Sequence, residues 1–265
     1  MVRVVLVQAP ATRRPASRDM EARLAVGHSS EKVGPNVVFD VMPRVGVPVQ
    51  IGLIETMRAR EGRVPWLERH VARLRASLAA LGGGPEPPAD LADLVRFAVG
   101  HGDRVVRLQL KDGHAEIATR EVNAEQGISV VVADEVHEPY PHKTTRREQF
   151  HRAYANARRS GASDAVLVTA DGLVAEGTAW NLFWWDNGTL CTPAEDLGIL
   201  PGLGRRRIME LTDVKEERVS VAALAGRSLF VTNAVRGIVE IATLNRVRVP
   251  RDLRTAELSS AFWPD

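Results

Sequence analysis

Pro141-His142-Lys143-Thr144-Thr145 is the stretch from which this chain is best read, because it holds one of only four lysines, Lys32, Lys111, Lys143 and Lys215. The other 31 of its 35 basic residues are arginine. Arginine therefore supplies the surface charge, and a lysine kept beside a histidine and two threonines has two readings. One is a surface lysine in an arginine-biased composition. The other is a reactive amine, since a lysine can lose its proton near neutral pH and an arginine cannot.

Outward from this stretch, Ile128–Val132 reads as a buried strand and residues 146–160 as an arginine-studded helix stopped by Gly161. Strands are predicted at 164–169, 173–175, 179–185 and 189–192, with Asp171-Gly172 and Asn187-Gly188 as turns. A helix follows Pro201-Gly202 through Met209, and short strands near 217–220, 228–232, 237–241 and 245–249 close the chain. Toward the N-terminus, residues 104–110 and 115–120 form a hairpin around Asp112-Gly113. The clearest helix spans Trp66 to Leu81, where Leu67, Val71, Leu74, Leu78 and Leu81 recur at spacings of three and four before Gly82. A second begins after Pro88 and stops at Gly100. Residues 2–8, 36–42 and 50–60 read as strands, and 9–35 as a loop or partly disordered arm. The polar turn at 123–127 divides an N-terminal α/β domain (1–122) from a C-terminal domain (128–265).

Composition removes several function classes. A net charge of +2 is a poor footprint for nucleic-acid binding, and the arginine pairs suit solvated helix faces. The single cysteine, Cys191, rules out an intrachain disulfide and reads as a buried, inert thiol. No run approaches membrane-spanning length and none forms a signal-peptide core, so a cytoplasmic protein is expected. There is no Walker loop, no GxGxxG opening a helix, no GxSxG elbow and no histidine pair spaced for a metal, so no metal site is expected.

Three further features bear on chemistry. Ile199-Leu200-Pro201-Gly202-Leu203-Gly204-Arg205 is a glycine turn running into a helix; it is either a plain turn or an anion seat built from free backbone N–H groups. Glu176 lies between apolar strand residues and needs a cationic partner or a solvent-facing turn. Thr232-Asn233-Ala234 places small polar groups at the end of a strand, a common ligand position.

These pieces together resemble the class IV aminotransferases, the fold type IV pyridoxal-phosphate enzymes. The resemblance covers about residues 50–240. It rests on Glu55-Thr56-Met57-Arg58, Leu67-Glu68-Arg69-His70-Val71-Ala72-Arg73-Leu74 and His142-Lys143-Thr144-Thr145. It continues through Glu176-Gly177 with Asn181-Leu182-Phe183, then Ile199-Leu200-Pro201-Gly202 and Thr232-Asn233-Ala234-Val235-Arg236-Gly237. It implies a two-domain α/β (α+β) enzyme: a smaller N-terminal α/β domain, a larger C-terminal mixed β domain with helices, and the cofactor between them, in a homodimer. By position it implies that Lys143 forms the Schiff base with pyridoxal 5'-phosphate and serves as proton-transfer base. Glu176 pairs with the pyridine nitrogen, whose protonated form is the better electron sink. Arg73 grips the phosphate, completed by the amides of Leu203 and Gly204, with Asn233 and Ala234 beside it. Arg69 and His70 are left with packing or helix-face roles.

Within the family, Lys143-Thr144-Thr145-Arg146-Arg147 and Asn233-Ala234-Val235-Arg236-Gly237 resemble aminodeoxychorismate lyases. That implies release of 4-aminobenzoate and pyruvate, a functional link to an aminodeoxychorismate synthase, and Arg236 as either a substrate carboxylate clamp or a structural ion pair. The alternative is an aminotransferase acting on D-amino or branched-chain amino acids, and a third reading is a non-catalytic relative. The chain departs from the family at Val47-Pro48-Val49-Gln50-Ile51-Gly52, at Ala234 where some members have threonine, and at Arg146–Glu148, where the residue that meets the cofactor hydroxyl is missing.

Overall fold

A computed structural model of the protein describes residues 4–7, 36–40, 51–83, 86–99, 101–111, 114–122 and 127–264. The expected arm at 9–35 and most of the expected linker at 123–127 lie outside the described residues. Two sheets organise the chain. The first contains β1 (Val4–Val7), β2 (Asn36–Asp40), β3 (Leu53–Ala59), β4 (Arg104–Lys111) and β5 (His114–Glu121), antiparallel throughout in the order β1-β2-β5-β4-β3.

Helices α1 (Leu67–Ala80) and α2 (Leu91–Val99) cover this sheet. The predicted stripe of α1 is the reason: Leu67, Val71, Leu74 and Leu78 are all buried, packed with Val95 and Leu91 of α2 and with Met57, Val106, Leu108 and Ile117 of the strands. Each such side chain stabilises the fold by about 1.5–3 kcal/mol. Leu81 is exposed and outside the stripe, because the helix ends at Ala80 and Gly82 and Gly83 take positive φ of 91° and 81°.

The second sheet has nine strands. β6 (Ile128–Val136), β7 (Asp164–Val168) and β8 (Val174–Gly177) form one flank, and β9 (Asn181–Asp186), β10 (Thr189–Pro193) and β11 (Val214–Glu217) the other. β12 (Leu229–Asn233) and β13 (Gly237–Leu244) join them, and the two-residue β14 (Val247–Arg248) pairs with β13. The pairing is mixed: β6–β7, β6–β13 and β10–β11 are parallel and the rest antiparallel. α3 (Glu148–Arg159) packs Phe150, Ala153 and Ala157 under β6 and β7, and α4 (Leu203–Leu211) starts beside the end of β12.

The chain does not close on strands alone. The strand expected at 217–220 is β11, at 214–217, and a helix that the periodicity did not predict, α5 (Leu253–Ala261), follows β14. α5 has no apolar stripe to announce it: Leu253 is 85% exposed and Thr255 is its only buried residue. It is set instead by Asp252, whose side chain accepts from the Arg254 N–H, and by the rings after it, Phe262 and Trp263, which pack on Trp66 at centroid distances of 5.4 and 5.3 Å.

Candidate active site

The Lys143 segment is stitched to the start of β3. Ile54 N–H donates to the Lys143 carbonyl at 2.8 Å, Thr145 N–H to the Gly52 carbonyl at 2.8 Å, and Gly52 N–H to Thr145 Oγ1 at 3.1 Å. A Cβ on Gly52 would stand 2.8 Å from the Thr145 methyl, so this approach needs glycine. The Tyr140 hydroxyl donates to the Thr144 carbonyl at 2.6 Å and fixes the other side. Lys143 thus lies where the two sheets meet, lining a cavity of about 350 Å³. Burial, then the charges of Arg147 and Arg73, push its amine from 10.5 down to about 7; Glu55 and Glu176 oppose them. Near neutral pH much of this amine is unprotonated, as a nucleophile or base requires.

Arg73 reaches the same cavity from α1, tied down on two sides. Its Nε and Nη2 donate to the two oxygens of Glu55 at 2.8 and 2.6 Å, and its Nη1 to the Pro201 carbonyl at 3.1 Å. Glu55 also faces His70, with Nδ1 2.7 Å from Oε2. Burial alone would raise the Glu55 carboxyl, but the Arg73 charge and the hydrogen bonds from His70 and Arg73 outweigh it and hold it at about 2. Burial in turn lowers His70, which stays neutral near pH 7. His70 therefore belongs to a buried network that orients Arg73, a part the helix pattern could not disclose.

Glu176 stands across the cavity, buried. Its partners are not the cation expected for an enclosed carboxylate. His137 Nε2 lies 3.1 Å from Oε1, and the Leu200 N–H points at both oxygens at 3.2 and 3.3 Å. Burial raises the Glu176 carboxyl, with these hydrogen bonds working against it. Below it, Asp164 accepts the Thr178 hydroxyl at 2.6 Å and the Trp180 indole N–H at 2.8 Å, which fixes the loop that follows Glu176.

The glycine turn before α4 forms a third corner. No side chain caps this helix at Gly202. There is no room for larger residues: a Cβ on Gly204 would stand 2.8 Å from Thr232 Oγ1 and 2.9 Å from the Asn233 Cα, and one on Gly202 would collide with the Asn181 side chain. Thr232 Oγ1, fully buried at the cavity wall, has no hydrogen-bond partner. An unpaired buried hydroxyl costs about 1–3 kcal/mol unless something fills its valence.

The structure brings Arg73, Lys143, Glu176, Leu203, Gly204, Asn233, Ala234 and Arg236 to this one cavity. Asn233 differs in detail, because its side chain is consumed locally: Oδ1 accepts the Val235 and Arg236 N–H groups, each at 2.9 Å, and Nδ2 donates to the Ala179 carbonyl. Arg236 lies over the Trp180 ring at 5.5 Å. Arg69, on the helix face, pairs with Glu210 of α4 at 2.8 Å. The sequence assigned no individual role to Glu55, His137 or Arg147, and marked Thr232 only as one of the small polar groups at a strand end. Arg147 is held by the Thr178 carbonyl at 2.6 Å and by the Phe150 ring 4.8 Å away. Arg107 of β4 and Arg120 of β5 also line the cavity.

A buried carboxylate, an amine lowered toward neutrality and an uncapped helix start beside an orphan hydroxyl line one cavity, a set of groups compatible with a phosphorylated ligand that carries a carbonyl group. The comparisons agree. The amino-transferase class IV pattern matches residues 52–244, and the chain belongs to that family of pyridoxal-phosphate enzymes. It is 27% identical over 241 residues to an aminodeoxychorismate lyase of Bacillus subtilis, covering 74% of this chain and 78% of that one. A probable branched-chain-amino-acid aminotransferase of Rickettsia typhi is 26% identical over 227 residues, covering 73% and 78%. In fold, the chain is similar to a branched-chain aminotransferase from Thermoproteus uzoniensis, with a TM-score of 0.73 at 22% identity over 81% of this chain and 84% of that one. The donor set fits the cofactor: Thr232 Oγ1 and the free start of α4 suit its phosphate, Glu176 its ring nitrogen and Lys143 its aldehyde.

Proposed function

We propose that this protein is an aminodeoxychorismate lyase, converting 4-amino-4-deoxychorismate to 4-aminobenzoate and pyruvate. The observation that carries this reading is the substrate side of the cavity, lined by four arginines, Arg107, Arg120, Arg147 and Arg236. Such a wall suits a substrate with two carboxylates, whereas a branched-chain amino acid has one and needs apolar lining for its side chain. The aminotransferase remains the second reading, supported by the Rickettsia typhi relative.

The chain's residues divide the work. Arg73, the Leu203 and Gly204 amides and Thr232 would hold the phosphate, with Asn233 shaping the turn that carries Ala234 and Arg236. Glu176 would pair with the ring nitrogen. Pyridoxal phosphate, when bound, would supply an electron sink for the pair released at the amine-bearing carbon. Lys143 Nζ takes the proton from that carbon. The electron pair closes the aromatic ring as the C–O bond to the enolpyruvyl group breaks, and a proton ends on the methyl carbon of the departing pyruvate. Aromatisation supplies the driving force, so positioning by the arginines and by Lys143 is the main requirement.

The proposal includes residues 1–122 and 128–265 as two domains joined at 123–127, a homodimer, a cytoplasmic location and a synthase supplying the substrate. Among the described residues no helix is long and apolar enough to cross a membrane. The test supplies aminodeoxychorismate in one reaction and amino donors with 2-oxo acids in another. 4-Aminobenzoate and pyruvate in equal amounts from the first support the lyase; product from the second alone discards it.

A further inference from the structure

The Glu176 carboxylate has a neighbour that nothing so far explains. His137 directly follows β6, its side chain fully enclosed and packed edge-on to Phe150 at 6.4 Å. Its backbone N–H is spent on the Val168 carbonyl at 2.7 Å. Nε2 reaches Glu176 Oε1 at 3.1 Å, while Nδ1 is buried with no partner. A histidine kept in the core merely to fill space would be expected to satisfy both nitrogens. This one gives up Nδ1 and spends Nε2 on the carboxylate that faces the cavity. The Leu200 N–H, at 3.2 Å, also points at that carboxylate, so Glu176 acts as an acceptor toward the backbone.

We propose that His137 is a positioning residue for the cofactor site: its Nε2–H donates to Glu176 Oε1, aiming the carboxyl group so that its remaining acceptor capacity would meet the ring nitrogen. A neutral imidazole has one donor and one acceptor, so this role fixes the tautomer as Nε2–H and leaves Nδ1 as the empty acceptor. Two donors on one buried carboxylate favour its charged form against the cost of burial. Of the ionisable groups acting on Glu176, His137 is the one in hydrogen-bond contact; Lys143 acts on it only by charge.

The inference rests on the cavity holding pyridoxal phosphate and is independent of which reaction follows. Nitrogen-15 spectra of the wild-type apo-protein should show a proton on His137 Nε2, and an Nε2 without a proton would overturn the role without need of a variant. Titration of apo-protein with pyridoxal phosphate, followed by cofactor absorbance, supplies the second measurement. His137→Phe, which keeps a ring against Phe150, should bind roughly tenfold more weakly, the scale of one hydrogen bond to a charged group. His137→Gln, which restores a donor, should recover to within about threefold. The double variant His137→Phe/Glu176→Gln should bind no more weakly than Glu176→Gln alone. Wild-type affinity in His137→Phe, or losses that add in the double variant, would overturn the proposal. If wild-type protein binds no pyridoxal phosphate, it is the cofactor reading that fails.

Discussion

The two walls of the cavity are built on opposite plans. On one side, buried Glu176 and Thr232 line the cavity and buried Glu55 stands behind Arg73; the two carboxylates are already hydrogen-bonded, to His70 and Arg73 in one case and to His137 and Leu200 in the other. On the substrate wall, Arg107 and Arg120 project from strands whose facing residues alternate out to solvent, and Arg236 sits on a turn. A preorganised wall suits a ligand that is always the same; a charged wall that is only partly buried can be altered without disturbing the core. In the function proposed above, the chemistry rests on the buried wall and the choice of substrate on the arginine-lined one.

Substitutions can break that comparison in graded steps. The largest effect is expected from Lys143→Ala, which removes the proton-transferring amine and should lower turnover by about three orders of magnitude, in steady-state assays, while the apo-protein stays folded. Next comes Glu55→Gln. The Glu55 carboxyl is depressed from 4.5 to about 2, so its stabilisation is present above pH 4.5 and is lost as pH falls toward 2. Stability of the wild-type apo-protein should decline by about 3 kcal/mol across that window, and urea titrations should show a flatter profile in the variant.

A smaller loss is expected from Gly204→Ala, whose methyl would meet Thr232 Oγ1 and the Asn233 backbone. Overpacking should cost about 1–3 kcal/mol in thermal or urea unfolding, and cofactor affinity should fall with it. Arg236→Ala acts on the other wall: the KM for a dicarboxylate should rise about tenfold with cofactor affinity unchanged. If cofactor binding falls instead, the division between walls is wrong. The smallest stability change is expected from Thr232→Val, which replaces an orphan hydroxyl by a methyl. The apo-protein should be within about 0.5 kcal/mol of wild type or more stable, while cofactor affinity drops.

The division also explains what could be read in advance. The stripe of α1, the hairpin of β4 and β5 and the glycine stop signals are local patterns, legible because 3.6-residue and two-residue periods appear directly in sequence. Lys143 and Glu176 stand out in the sequence by rarity and by apolar neighbours, the roles of these two and of Arg73 are implied only by the motif resemblance, and their convergence on one cavity needs the fold. The pairings Glu55–His70 and His137–Glu176 join residues 15 and 39 positions apart, and no local pattern encodes such a contact. Glu176 shows the limit well: its burial was inferable from its apolar neighbours, but its partners are an imidazole and a backbone amide instead of a cation. α5 escaped because rings outside the helix, not a stripe within it, hold it in place.

The central claim is that Lys143 is the amine that captures pyridoxal phosphate, poised by burial and by Arg147 and Arg73. It is tested most directly by mixing apo-protein with pyridoxal phosphate across pH, reducing with borohydride and mapping the label by peptide mass spectrometry. Label is expected on Lys143, with capture rising through a midpoint near the lowered amine value of about 7. Label on Lys32, Lys111 or Lys215, or a Lys143 midpoint near the ordinary 10.5, would contradict it.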